Sequence, residues 1–207
     1  MPDAQEPTAT RAALLELRDE RRLVQEGYEL LDEKRMLLAA ETLRELRVAV
    51  ETQRQIDTEW ATARRALAAA IAVHGLDDLT VEPPCPLTDA RLDVVQSSFL
   101  GLELQQARFE DVPCRPAAAP LRDTPELRRC ATSFRRVVAR VVEQAARHAN
   151  LRRLVAEYRR TERRARALEN VLLPELDGSL RFVEEQLDAL DQEEAVRVRN
   201  ATRADRA

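Results

Sequence analysis

From Thr10 to Val73 the chain has no proline and one glycine, Gly27, while apolar side chains return at seven-residue intervals. Leu17, Val24, Leu31 and Leu38 form one row, continued after a single step of eight by Leu46, Gln53, Trp60 and Leu67. A second row, Leu14, Tyr28, Ala49, Ile56, Ala63 and Ala70, falls on a seven-residue grid of its own. Two such rows are the a and d positions of a coiled coil. A helix over 10–74 would reach ~96 Å at about 1.5 Å per residue. With one apolar stripe it is not stable alone and needs a second helix of comparable length.

Composition agrees with paired helices rather than a thick core. Aromatic residues are 3%, glycines number four and charged residues are 34% of 207. Lys34 is the only lysine, so nearly all positive charge is arginine, which reflects a GC-rich genome more simply than chemistry. A net charge of −4 gives no whole-chain attraction to nucleic acid or to an anionic membrane. Cys85, Cys114 and Cys130 form no CxxC pair, which excludes the usual disulfide and zinc frameworks and fits a reducing cytoplasm. The longest apolar run, Ala66 to Val73, is too short to span a bilayer, and no signal-type core follows Met1.

His74 and Gly75 close the first helix, with glycine just past the last periodic residue. Most of the ten prolines then lie before Thr124, together with two alternating stretches, Arg91 to Ser98 and Leu100 to Phe109, with Gly101 at a hairpin turn. Thr124-Pro125-Glu126 supplies a threonine cap, a proline at the first helical position and an early acid. The second seam runs through Val137, Val141, Leu151, Leu154, Tyr158, Ala165, Leu168, Leu172, Leu176, Leu180, Val183, Leu187 and Leu190. The expected fold is mainly α: a long antiparallel two-helix coiled coil over 10–74 and 124–200, a small head with a β-hairpin over 75–123, and flexible tails at 1–9 and 201–207. Its expected core includes Leu17, Val24, Leu31, Trp60, Leu67, Leu154, Leu168, Leu172 and Leu187.

Pro174 breaks the pattern. Inside a helix it removes one hydrogen bond and pushes its ring at the Asn170 carbonyl, a cost of ~3 kcal/mol. Around it the seam steps by four, four and four from Leu168 to Leu180, where a heptad alternates three and four. The expectation is a bend fixed by Pro174, with Gly178 allowing either a close backbone approach or a flexible kink.

Chemistry-bearing motifs are missing. His74 and His148 lie in ordinary helical contexts, no GxSxG or Cys/His arrangement occurs, and four glycines leave little from which to build a phosphate-cradling loop. Neither catalysis nor a cofactor is expected of this chain. Charge is segregated on the second helix: Arg147 to Arg166 holds eight arginines, and Glu175 to Glu194 holds eight acids. RNA binding by the arginine belt is a weak reading, because aromatic stacking partners are scarce.

The chain resembles the D subunit of the vacuolar/archaeal-type rotary ATPases, along its whole length. Arg163, Arg164, Ala167, Leu168, Glu169, Val171, Pro174 and Leu176 match the family's R-R-x-N-A-L-E-x-V-x-I-P-x-L, with Arg166 in place of the asparagine and Leu173 in place of the isoleucine. Leu187, Asp188, Leu190, Glu193, Glu194 and Arg197 match its L-D-E-L-E-R-E-E-x-x-R ending. Gly27, Leu30, Leu31, Lys34, Arg35 and Leu38 match its N-terminal G-x-x-L-L-x-x-K-R-x-x-L, and SSFLGLEL at Ser97 to Leu104 parallels its hairpin. The resemblance implies a non-catalytic central-stalk rotor, cytoplasmic and peripheral to the membrane. Its implied partners are the catalytic and non-catalytic nucleotide-binding subunits of a hexamer, the F subunit of the stalk, and a socket subunit leading to the membrane ring, without nucleic acid or membrane insertion. Arg18, Arg21, Arg22, Glu193, Glu194 and Arg197 are then candidate hexamer contacts. The competing class is a free-standing coiled-coil adaptor that self-associates.

Overall fold

A computed structural model describes residues 10–81, 91–110 and 123–204. The expected tail 1–9, Cys85, Cys114 and the last three positions of the expected tail 201–207 lie outside the described residues. The elements are α1 (Arg11–His74), α2 (Leu76–Val81), β1 (Arg91–Phe99), β2 (Leu102–Glu110), α3 (Pro125–Ala167) and α4 (Leu173–Ala204). Between α3 and α4 lies a π turn, Leu168–Leu172. The fold is mainly α, with two long antiparallel helical segments and one β-hairpin.

Local chemistry sets the ends. Thr10 accepts the Ala13 N–H on its hydroxyl at 3.1 Å, capping α1. Gly75, at φ +79°, ends it by donating to the Ile71 carbonyl at 2.8 Å. The Thr124 carbonyl accepts the Arg128 N–H at 3.2 Å to start α3, and its hydroxyl meets His74 Nε2 at 2.8 Å. Helix also continues through 201–204, inside the segment expected as a tail.

The chain divides into two compact units, Met1–Leu37 with Tyr158–Ala207, and Leu38–Glu157. In the first, Arg11 pairs with Asp191, Arg18 with Glu184 and Arg21 with Asp177, so the partner number falls as the α1 number rises. The helices are therefore antiparallel there. The buried residues are Thr161, Ala165, Leu176, Leu180 and Val183, with Leu17, Val24, Leu31, Tyr158, Leu168, Leu172 and Leu187 half-buried. Half-burial is what a two-helix seam gives, since nothing described covers its flanks.

In the second unit the same reversal appears: Glu45 with Arg147, Ala49 with Gln144, Glu59 with Arg140 and Trp60 with Phe134. Leu38, Ala49, Ala63, Ala70, Leu104, Val137 and Leu154 are buried, and Leu67 is half-buried. The expected step of eight does not occur. Glu45 and Thr52 are buried, whereas Leu46 is 46% exposed and Trp60 is 48% exposed. The row beginning at Leu17 thus keeps strict sevens through Leu38, Glu45, Thr52 and Glu59, and Trp60 lies beside the seam, edge-on to Phe134 with centroids 5.8 Å apart.

Polar side chains hold those seam positions because each finds at least one hydrogen-bond or ion-pair partner, although Glu45 Oε2, Glu59 Oε2 and Gln144 Oε1 accept no hydrogen bond. The Thr52 hydroxyl donates to the Val48 carbonyl at 2.9 Å, satisfying a buried hydroxyl within its own helix. Glu45 Oε2 lies 3.7 Å from Arg147 Nη1, and Glu59 Oε1 lies 3.5 Å from Arg140 Nε. Gln144 Nε2 donates to the Ala49 carbonyl at 3.1 Å. Acids on α1 meeting arginines seven apart on α3 can be matched only in one direction and register.

The hairpin is regular from Arg91↔Glu110 to Phe99↔Leu102. Its two-residue turn places Leu100 at φ +50° and Gly101 at φ +83°, the positive pair of a type I′ turn. Glycine adopts this freely and leucine does not, so Leu100 carries local strain.

Arg147 keeps about a third of its side chain exposed, so removing the buried Glu45 strands its charge only in part, and Glu45→Leu alone should lower stability by roughly 1–2 kcal/mol. Glu45→Leu with Arg147→Leu should recover most of it. Urea unfolding of the two single variants and the double variant checks this.

Candidate functional site

The segment carrying the densest run of motif residues, Arg163 to Leu176, contains the π turn. Residues on both sides keep right-handed helical angles, Ala167 at φ −67° and ψ −40° and Leu173 at φ −62° and ψ −46°, so the helix is continuous. The Leu173 N–H donates to the Leu168 carbonyl five residues back rather than four. One residue has been inserted into the winding. The seam confirms it, since position 175 is seven past Leu168, yet Leu176 is buried and Glu175 is exposed. Leu180 and Val183 carry the same one-residue displacement.

This explains how Pro174 is tolerated. It stands directly after the π turn, where the four-residue bonding pattern that a proline would break is already interrupted. Opposite the turn, a Cβ on Gly27 would lie 3.8 Å from Leu168 Cδ1, ordinary contact, and a Cβ on Gly178 would meet nothing within 4 Å. Gly178 therefore makes no close backbone approach.

Of the other motif residues, Arg163, Arg164 and Glu169 lie outside the buried set. Arg166, in the asparagine position, pairs with Glu162 at 2.7 Å. Arg18 and Arg21 are already engaged: Arg18 Nη2 donates to Glu184 Oε1 at 2.7 Å, and Arg21 Nε donates to Asp177 Oδ1 at 2.6 Å. Arg22 lies 3.8 Å from Glu26, one turn on. Glu193 and Arg197 pair at 3.6 Å, and Glu194 is exposed. All these pairs are solvent-accessible, so each is worth only about 0–1 kcal/mol and is readily exchanged.

The partners Asp177 and Glu184 escaped the motif reading, although a flank signal existed: Arg11 and Arg18 are seven apart, as are Asp177, Glu184 and Asp191. From the Arg11–Asp191 pair onward α4 carries apolar side chains in the open, with Leu190 next to that pair 53% and Val198 beyond it 61% exposed beside Glu193 and Arg197. These residues make a mixed apolar and charged face at the end of the helix.

In the other unit a cleft of about 530 Å3 separates the hairpin from the helices, lined by Glu45, Arg147, Asn150, Asp93 and Arg108 among others. Beside it, the Arg44 guanidinium hydrogen-bonds Glu41, which holds that carboxyl below its usual range. Burial pushes the Cys130 thiol up, which disfavours the thiolate. Among the described residues no group of three metal-ligating side chains forms, and no helix is long and apolar enough to cross a membrane.

Since the π turn already breaks the bonding pattern, Pro174→Ala should change stability by less than about 1 kcal/mol, against ~3 kcal/mol for a proline in a regular helix. Gly178→Ala should add about 0.5–1 kcal/mol, because its Cβ enters open space on a helix. Thermal or urea melts of both variants read these values.

A family model described as the ATP synthase D subunit matches residues 13–203. The V-type ATP synthase D subunit of Thermotoga neapolitana is 24% identical over 190 residues, covering 92% of this chain and 94% of its own. The protein of the same name in Thermus thermophilus is 27% identical, covering 92% and 85%. The A-type ATP synthase D subunit of Methanopyrus kandleri is 28% identical, covering 92% and 83%.

Proposed function

The chain belongs to the ATP synthase D-subunit family, and from that membership we propose that it is the central-stalk rotor shaft of a V/A-type ATP synthase or ATPase. On this reading the end of the helix pair bearing Arg18 and Glu193 sits within the hexamer of catalytic and non-catalytic nucleotide-binding subunits. The unit carrying the hairpin faces the F subunit of the stalk and the socket subunit of the membrane ring. The chain is non-catalytic and cytoplasmic, peripheral to the membrane. Ion flow turns it, and rotation drives each catalytic interface through its conformations; hydrolysis turns it in reverse.

The observation that carries the proposal is the family match across nearly the whole chain. Two physical features favour it. A shaft must pass several quasi-equivalent positions without adhering to any, and exposed ion pairs such as Arg18–Glu184 and Arg197–Glu193 exchange partners at little free-energy change. The face of Leu190, Glu193, Arg197 and Val198 gives the end of α4 both apolar grip and exchangeable charge.

Affinity purification of the tagged chain from a detergent extract of the native cell should recover two large nucleotide-binding subunits and magnesium-dependent ATPase activity. Recovery of the chain alone or as a self-dimer, without ATPase, would refute the rotor role in favour of an adaptor. In the recovered complex, reversing Glu193, Glu194 and Arg197 together should lower ion transport per ATP hydrolysed while leaving the chain folded by circular dichroism.

A further inference from the structure

Among the described residues, hydrogen bonds from two α3 side chains tie the hairpin to the helices. Asn150, on α3 and 4% exposed, accepts the Gln105 N–H on Oδ1 at 2.8 Å and donates from Nδ2 to the Gln105 carbonyl at 2.8 Å. Arg153 Nη1 donates to the Glu103 carbonyl at 2.9 Å. Between them Leu104 is buried. These are the hydrogen bonds described between hairpin and helix. Alongside them lies the open, polar cleft, in which Glu45 Oε2 and Arg147 Nε are buried without hydrogen-bond partners. Among the described residues the hairpin's hydrogen bonds to the helices are therefore concentrated at one place.

A side-chain amide that gives one backbone residue both a donor and an acceptor does what a neighbouring β-strand does. Gln105 and Glu103 turn their polar backbone groups away from β1 towards α3, and Asn150 and Arg153 close that edge. Their register partners are Gln96 and Ser98. Alternate residues behave alike in an antiparallel pair, so Leu92, Val94, Gln96 and Ser98 turn their N–H and C=O groups to the outer side of β1. That strand is exposed along nearly its whole length.

We propose that Asn150 is a positioning residue, a surrogate strand that locks the hairpin at one orientation on the helix pair so that it turns as part of the shaft. This rests on the rotor reading above for its consequence, though not for its geometry. With Asn150 in place, β2 is closed and β1 faces outward at a fixed angle. Without it, Leu104 and Arg153 remain, but the backbone of Gln105 loses both partners and the hairpin can swing.

Two variants separate the hydrogen-bond pair from mere packing. Asn150→Leu keeps a side chain of similar size but an apolar one, and offers neither bond. Asn150→Asp keeps the shape, but its carboxylate sets one oxygen against the Gln105 carbonyl; protonation restores a donor and an acceptor. The charged groups facing that corner are Arg44 and Glu45 of α1, Glu143, Arg147 and Arg153 of α3, and Asp93 and Arg108 of the hairpin. They set the midpoint of that titration and not its direction.

The test reads amide hydrogen-exchange protection at Gln105 in the full chain, with circular dichroism to show that the helices persist, and ion transport per ATP in the purified complex. Protection should fall at least about tenfold in Asn150→Leu at any pH. In Asn150→Asp it should fall less at about pH 8, since one carboxylate oxygen still accepts the Gln105 N–H while the other repels the Gln105 carbonyl, and recover at about pH 5, while the wild type shows no such change. Both variants should transport fewer ions per ATP at neutral pH. Unchanged protection in both, or a loss in Asn150→Asp that acid does not reverse, would overturn the latch. Lost protection with undiminished transport would overturn its positioning role and leave the rotor reading standing. A wild-type chain that recovers no ATPase would remove the rotor reading and the coupling claim together.

Discussion

Everything in this fold depends on phase: a helix with one buried stripe is stable only where that stripe faces its partner. On α1 the stripe keeps strict sevens from Leu17 to Glu59. The second helix carries one residue too many for the same arrangement beyond Leu172. Regular α-helix would rotate the buried set after that point by about 100°. The π turn at Leu168–Leu172 absorbs the surplus residue and returns Leu176, Leu180 and Val183 to the seam. Pro174 belongs to this solution, since it stands where the regular bonding pattern has already been given up.

Much of this was legible in the sequence. Glycine, proline and threonine punctuation located α1, the hairpin and the start of α3 to within a residue or two, because each terminator acts on its own backbone. The four-four-four spacing of Leu168 to Leu180 announced an insertion, though not its form. The stripe of α1 was misread after Leu38 because apolarity was the signal followed. The buried positions hold Glu45 and Thr52, whose partners Arg147 and the Val48 carbonyl make burial tolerable. Nothing local marks a glutamate whose partner lies about a hundred residues away. Trp60 was drawn into the core by the same shifted row of sevens, although the seam position belongs to its neighbour Glu59.

Asn150 is the clearest case of a residue that sequence reasoning could not single out. A lone asparagine in a helix is unremarkable until a strand's edge is found against it. Likewise the candidate contact residues Arg18 and Arg21 were identified by charge and by their place near the start of α1, but their engagement with Glu184 and Asp177 depends on the pairing of distant segments. What an arginine can reach is set by register, and register is set by the buried stripe.

The dependence of proline on π turn is the most direct point of attack. Val171 is 52% exposed, and deleting it would bring Leu176, Leu180 and Val183 into phase with Leu168 without any π turn. The proline would then stand in regular helix. Urea unfolding of the Val171 deletion, made in the native and in the Pro174→Ala background, should show a loss of roughly 3 kcal/mol in the first and little in the second. Equal losses in the two backgrounds would contradict the account, since proline and π turn would then be independent.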